Sequence, residues 1–336
     1  MSWSRPGIDK IRGMRHFLTA QKKGNAVKKG RLLNEARAWG SGLLRGRRAL
    51  ADADLNIRYA EVQGIRLRYV HSPGAGQPLL FCNGIGANLE LVLPFIEAMR
   101  GTSIVAFDVP GCGGSPTARF WPSFPVYAKL AVGLLDYLGL HGPFNVAGVS
   151  WGGGLAQTIA RDYPKRVSRL ILMATAPGVP MFPGRLSAHL KMITPQRYLS
   201  RTFMARNAAT LYGGELRNRP DRAIEYSRFT RAPTRLAYLQ QLAAISLFSS
   251  WPWLHRIRCP ALVLNGDDDP LIRTINARLL AALLPRGHLE LIKGGGHLFM
   301  LFSAQETARL IQNFLASSAA EADAALSQTI ARMAWS

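Results

Sequence analysis

The chain has 336 residues, 48% of them hydrophobic, and its 32 glycines and 20 prolines follow no period. This length suits one large α/β domain with an insertion, or two small domains, and the composition excludes collagen-like and low-complexity chains. The net charge is +22, half of it on residues 1–50, which hold 13 Lys and Arg against 2 acidic residues; such an arm is matched to an anionic surface such as phospholipid, nucleic acid or an acidic protein.

Residues 1–54 read as a basic extension, partly helical or disordered. Ile8, Ile11, Met14 and Leu18 recur at helical spacing with Lys and Arg between them. Glycines at 24, 30, 40 and 42 interrupt further propagation. A basic amphipathic helix can lie on a membrane, on a hydrophobic particle or on the protein's own body. An Arg-rich, acid-poor N-terminus also fits an organelle transit peptide, whereas the apolar run of a secretory signal is missing. No stretch approaches the ~18 apolar residues of a membrane helix.

From residue 55 the pattern becomes regular. IRYAEVQGIRLRYV alternates around Gln63-Gly64 and predicts a hairpin. Short apolar runs then alternate with helical segments. PLLFCNG predicts a strand and LELVLPFIEAM a helix; SIVAFDVPG a strand and VYAKLAVGLLDYLGL a helix; FNVAGVS a strand and WGGGLAQTIARDY a helix; RLILMATA another strand. Residues 177–258 are too long and too helical in pattern for a loop, and predict a cap inserted after the sixth strand. Its aromatic and methionine residues, from Met181 to Trp253, are expected mostly to form the cap's own small core. Beyond it come the strand ALVLNG, the helix LIRTINARLLAALL, the strand LELIKG and the helix AQETARLIQNFLA. The expected fold is a mostly parallel eight-stranded sheet covered by helices on both faces, with core residues 55–176 and 259–316. A weakly helical tail, 317–336, has no assigned role.

Chemistry points to FNVAGVSWGGGLAQTIA. Gly148-x-Ser150-x-Gly152 follows a predicted strand and opens a helix, the setting of a nucleophile elbow. The turn is so tight that side chains two positions either side of the serine would clash, which favours Gly148 and Gly152. A serine needs a base, and the base needs an orienting carboxylate, in the chain order Ser, acid, His. His297 lies in LIKGGGHLFM just past the last strand; the other six histidines lack such a setting. The acid is expected after ALVLNG, where Asp267, Asp268 and Asp269 stand in a row. Asp269 is the choice, with Asp267 and Asp268 shaping the loop through local side-chain to backbone hydrogen bonds. The oxyanion hole takes the backbone N–H of Trp151 and a second from Asn83-Gly84-Ile85-Gly86, assigned to Ile85. Gly84 frees that loop, and Asn83 supports it. Asp108, in FDVPGCGGSP, is expected to stabilise its own glycine-rich turn; that turn lacks the GK[ST] of a phosphate loop. The three cysteines, Cys82, Cys112 and Cys259, are odd in number and widely spaced, which argues against a disulfide framework. No metal or organic cofactor is expected.

FCNGIGANLELVLPF, AFDVPGCGGSPT, AGVSWGGGLAQ, LYGG, LNGDDDPLIRTINARLL and GGHLF resemble the α/β-hydrolase superfamily. More narrowly, they are similar to the bacterial intracellular medium-chain-length poly(3-hydroxyalkanoate) depolymerases. The resemblance spans roughly residues 60–316, and its serine, acid and histidine fall on Ser150, Asp269 and His297. It implies an ester hydrolase acting on a hydrophobic polyester in the cytoplasm, at the surface of storage granules. The first 50 residues have no counterpart in it, and Gly294-Gly295-Gly296 before His297 is longer and less acidic than in relatives. Polyhydroxyalkanoate synthases carry cysteine at the elbow; haloalkane dehalogenases and epoxide hydrolases carry aspartate. Two other readings stay open: a hydrolase of small acyl esters, and a surface-binding protein that works through its basic arm.

Overall fold

The computed structural model describes residues 57–317, so the basic extension and most of the C-terminal tail lie outside the described residues. β1 (Arg58–Val62) and β2 (Ile65–Ser72) form the expected hairpin. Gln63 and Gly64 turn it with φ of 52° and 73°, the left-handed pair that matches strand twist in a two-residue turn. β3 (Ala75–Cys82) follows, then a 3-10 turn (Leu89–Leu91), α1 (Leu93–Ala98), β4 (Thr102–Phe107), α2 (Phe124–Tyr137), β5 (Phe144–Val149), α3 (Trp151–Asp162) and β6 (Val167–Met173). The segment LELVLPFIEAM is therefore not one helix. Pro94 has no N–H to donate, and a helix accepts it only in its first turn, so α1 starts at Leu93 and the preceding residues close as a tighter turn.

Six α-helices are inserted between β6 and β7: α4 (Leu186–Met192), α5 (Gln196–Leu199), α6 (Arg201–Tyr212), α7 (Glu215–Asn218), α8 (Asp221–Ser227) and α9 (Arg235–Ser246), followed by a 3-10 turn (Leu254–Arg256). The chain then completes the sheet with β7 (Ala261–Gly266), α10 (Thr274–Leu283), β8 (Gly287–Ile292), α11 (Phe299–Phe302) and α12 (Ala304–Ala316). The short α11 has no periodic signal of its own in the sequence.

The strands stand in the order β1-β2-β4-β3-β5-β6-β7-β8. β2 runs antiparallel to β1 and β4, and all pairs from β4 to β8 are parallel. Every residue of β5 and β7 is buried. That is why these segments read as mostly apolar runs, broken by Asn145 and Asn265, rather than alternating ones. Parallel strands aim all their C-terminal ends at one edge, and in open α/β sheets ligands bind there. Among the described residues no helix is long and apolar enough to cross a membrane.

The cap does not keep its aromatics to itself. Tyr238 and Phe248 join the main core, together with Phe124, Tyr127 and Trp151. The Phe248 ring lies 4.8 Å from Phe124, which in turn lies 4.8 Å from Trp151. Burying side chains of this size stabilises by about 1.5–3 kcal/mol each. The cap is thereby fastened to α2 and α3, beside the residue that follows Ser150.

Candidate active site

Ser150 sits between β5 and α3 with φ 55° and ψ −117°. A non-glycine residue held there stores about 1–3 kcal/mol of backbone strain, a cost that recurs at functional sites. Its neighbours hold it in place. Ser150 N–H donates to the Met173 carbonyl (2.9 Å), and the Ser150 carbonyl accepts from Gly153 N–H (2.9 Å) and the Thr175 hydroxyl (2.8 Å). A Cβ on Gly148 would overlap the Gly152 carbonyl, and one on Gly152 would overlap the Cys82 carbonyl at the end of β3. Both obstacles are backbone atoms, so neither can rotate away. The glycines of the elbow answer a close approach of chain to chain.

Asp269 lies three residues past β7, and His297 five residues past β8. Both are buried. His297 Nδ1 is 2.8 Å from Asp269 Oδ2. A carboxylate only accepts, so this contact puts the imidazole proton on Nδ1 and leaves Nε2 as an acceptor. Asp269 Oδ1 accepts from Leu271 N–H (2.8 Å) and Ile272 N–H (3.0 Å), which fixes the carboxylate plane. The cap holds the other side: His297 N–H donates to the Tyr212 carbonyl (2.7 Å), and the two rings stack at 6.2 Å. Ser150, Asp269 and His297 thus all stand at the C-terminal edge of the parallel strands. Asp269 and His297 are joined; the Ser150 hydroxyl makes no hydrogen bond among the described residues. Catalytic hydrogen bonds of this kind are often long without substrate and tighten when it binds.

Asp267 and Asp268 differ from the sequence reading. Their partners are remote: Asp267 accepts from Gly294 N–H (2.6 Å), and Asp268 from Gly214 N–H (2.7 Å) and Arg217 Nε (2.6 Å). Burial pushes the Asp268 carboxyl up, but Arg217 and the Gly214 N–H outweigh it and hold the group below the usual carboxylate range. Of the three, Asp269 is the one that bonds to the backbone of its own loop.

The loop after β3 lies against the elbow, with the position of a Cβ on Gly84 3.9 Å from Ser150 Cβ. Asn83 shapes this loop by accepting from Gly84 N–H (2.8 Å) and donating to the Asn88 carbonyl (3.2 Å). Among the described residues the N–H groups of Ile85 and Trp151 have no acceptor. Trp151 is the first residue of α3, where an unpaired N–H and the positive end of the helix dipole favour an anion.

Asp108 is a strut, not a reactive group. It accepts from Gly114 N–H (3.0 Å) and Leu89 N–H (2.7 Å) and pairs with Arg68 (2.9 Å). Arg68 also grips Glu90 (2.7 Å), and Arg231 of the cap reaches the same carboxylate (2.9 Å). Cys112 lies under this region; burial first of all pushes its thiol up to about 12, so it stays protonated. Sequence reasoning missed Arg68, because a single polar residue on a strand carries no local pattern.

A family model described as the alpha/beta hydrolase fold matches residues 77–304. The chain is 46% identical over 262 residues to a poly(3-hydroxyalkanoate) depolymerase of Ectopseudomonas oleovorans, covering 77% of this chain and 92% of that protein. It is 30% identical over 280 residues to a 2-hydroxymuconate semialdehyde hydrolase of Pseudomonas sp. (strain CF600), covering 78% and 93%. Among solved structures it superimposes on a bacterial membrane phospholipase A with a TM-score of 0.67 at 23% identity, covering 90% of this chain and 98% of that one; this likeness speaks for the fold alone.

Proposed function

The chain belongs to the alpha/beta hydrolase fold family, and on that premise we propose that it is a serine hydrolase cleaving the ester bonds of medium-chain-length poly(3-hydroxyalkanoate). The observation that carries this reading is the 46% identity across 92% of a poly(3-hydroxyalkanoate) depolymerase. The assembled Asp269–His297 pair at the edge where the serine elbow stands supports it. Ser150 Oγ attacks the ester carbonyl while His297 Nε2 takes its proton. Asp269 holds the imidazole in the required tautomer and stabilises the imidazolium. The oxyanion forms between the N–H groups of Ile85 and Trp151. When the tetrahedral intermediate collapses, His297 returns the proton to the departing alkoxide, which leaves as the hydroxyl end of the shortened chain. Water, deprotonated by His297, then attacks the acyl-enzyme and releases a 3-hydroxy acid or oligomer. Purified protein is expected to convert amorphous medium-chain polymer to such products, identified by mass spectrometry. Turnover of nitrophenyl esters with no release from polymer would favour the small-ester reading instead.

An insoluble substrate must be met at its surface, and the cap presents apolar side chains outward. Leu186, Leu190 and Ile193 are exposed at helical spacing along and just past α4, as are Leu236 and Leu239 on α9. The Tyr238 hydroxyl donates to the Met192 carbonyl (2.5 Å), which ties α9 to the end of α4. We assign this face to the polyester surface, in the cytoplasm at storage granules, with the basic residues 1–50 meeting an anionic coat. Leu190→Glu should lower polymer turnover about tenfold or more, since burying one leucine is worth about 1.5–3 kcal/mol. Soluble-ester turnover of the same variant should stay within about twofold, as expected for an exposed substitution away from the reacting groups. Equal turnover of polymer by variant and wild type would sink the assignment.

A further inference from the structure

Arg197, on α5, is buried, and among the described residues no carboxylate pairs with it. Its donors go elsewhere. Nη1 donates to the Tyr238 hydroxyl (2.6 Å); Nη2 donates to the Ile85 carbonyl (3.0 Å) and the Tyr198 hydroxyl (3.2 Å); Nε has no partner. The guanidinium also lies 4.4 Å from the Tyr198 ring centre and 5.4 Å from that of Tyr238. A buried charge without a counter-ion is costly, and well-packed apolar residues usually serve stability better. Arginine does not shed its proton to escape that cost. Rules of packing are broken in this way mainly at functional sites.

What the cation holds is the oxyanion loop. The Ile85 carbonyl accepts from both Arg197 and the Tyr198 hydroxyl (2.7 Å). The N–H at the other end of the same peptide, on Gly86, donates to Gln241 Oε1 (2.9 Å). The carbonyl of Gln241 in turn accepts from the Trp151 indole (2.9 Å), and its amide nitrogen faces Cys112 Sγ (3.1 Å). Gly86 has φ 70°, and a Cβ there would come within 2.7 Å of Tyr198 Cε2. Arg197, Tyr198 and Gln241 all belong to the cap. Ile85 and Trp151, whose N–H groups have no acceptor among the described residues, are therefore both anchored to it.

We propose that Arg197 is a positioning residue of the oxyanion hole: it clamps the Ile85–Gly86 peptide from the cap and supplies uncompensated positive charge next to the developing oxyanion. This rests on the ester-hydrolase reading, not on the identity of the polymer. A clamp of this kind acts on the transition state more than on bound substrate, so it moves kcat rather than KM.

The test is steady-state kinetics of Arg197→Met, Arg197→Lys and Tyr198→Phe on a soluble nitrophenyl ester, with a boronic-acid transition-state analogue titrated alongside. Losing an oxyanion donor outright costs about 10²–10³-fold, so Arg197→Met, which loosens one donor, should lower kcat about 10–100-fold. KM should stay within about twofold. Affinity for the boronic acid should fall by the same factor as kcat/KM. Arg197→Lys keeps the charge without the fork and should recover part of kcat. Tyr198→Phe removes one hydroxyl from the same carbonyl and should cost about 2–10-fold in kcat with the melting temperature kept; it carries the test if Arg197→Met does not fold. The proposal is overturned if Arg197→Met keeps kcat within about twofold, if its loss lies in KM alone, or if Tyr198→Phe matches wild type. Release of 3-hydroxy acids from polymer by the wild type judges the polyester reading separately.

Discussion

Ser150→Ala protein should fold normally and lose about 10⁵–10⁶-fold in kcat on any ester, polymer or soluble, as loss of the nucleophile does in serine hydrolases. The structure separates this loss from any loss of fold. The Ser150 hydroxyl makes no hydrogen bond among the described residues, so its removal strands no buried partner. The strained backbone is held by Met173, Gly153 and Thr175 through the main chain of residue 150, which alanine retains. Alanine already occupies left-handed space nearby, at Ala174 with φ 44°. The change in stability should therefore stay within about 0.5 kcal/mol by denaturant unfolding. His297→Ala should cost a comparable factor. The double variant should cost little more than either single one, because the two groups act as one unit. Ser150→Ala protein retaining more than about 1% of wild-type turnover would show that another group attacks the ester.

Much of this arrangement was legible in the sequence because its signals are local. An apolar run such as ALVLNG becomes a fully buried strand because it has helices on both sides. Gln63-Gly64 becomes a tight turn because its two residues take positive φ. Gly148 and Gly152 announce the elbow because backbone atoms stand where their Cβ atoms would be. What sequence reading missed is held by contacts between segments far apart. Asp267 and Asp268 look like loop-shaping residues, yet they tie their loop to Gly294 and Gly214. Tyr238 and Phe248 look like cap core, yet they pack into the main core, because the cap sits directly on the helix behind Ser150. Arg197 looks like one more surface cation in a chain with 42 Lys and Arg. Its burial against the Ile85 carbonyl is set by how α5 docks, and no spacing in TPQRYLS encodes that.

Asp269→Asn should lower kcat on a soluble ester about 10⁴-fold, the loss seen when an orienting carboxylate of this type becomes an amide. The reason lies in the two N–H groups that grip the carboxylate. Leu271 and Ile272 both donate to Oδ1, so an amide must turn its oxygen toward them. Its NH2 then faces His297 Nδ1, where Asp269 Oδ2 accepted at 2.8 Å. Two donors repel there, so the imidazole must move its proton to Nε2 and can no longer accept from Ser150. Flipping the amide offers no escape, since NH2 would then meet two backbone N–H groups. The adjacent aspartates provide the contrast. Asp268→Asn can still accept from Gly214 N–H and loses only the half-exposed ion pair with Arg217, worth about 0–1 kcal/mol of stability. Asp267→Asn likewise keeps an oxygen for Gly294 N–H. Both should turn over ester within a few-fold of wild type, as substitutions away from the reacting groups generally do. Three neighbouring carboxylates, changed one at a time to the same amide, thus separate a residue that sets a tautomer from two that tie down a loop. If Asp269→Asn stayed within about tenfold of wild type, or if Asp268→Asn fell as far, the assignment of Asp269 would be wrong.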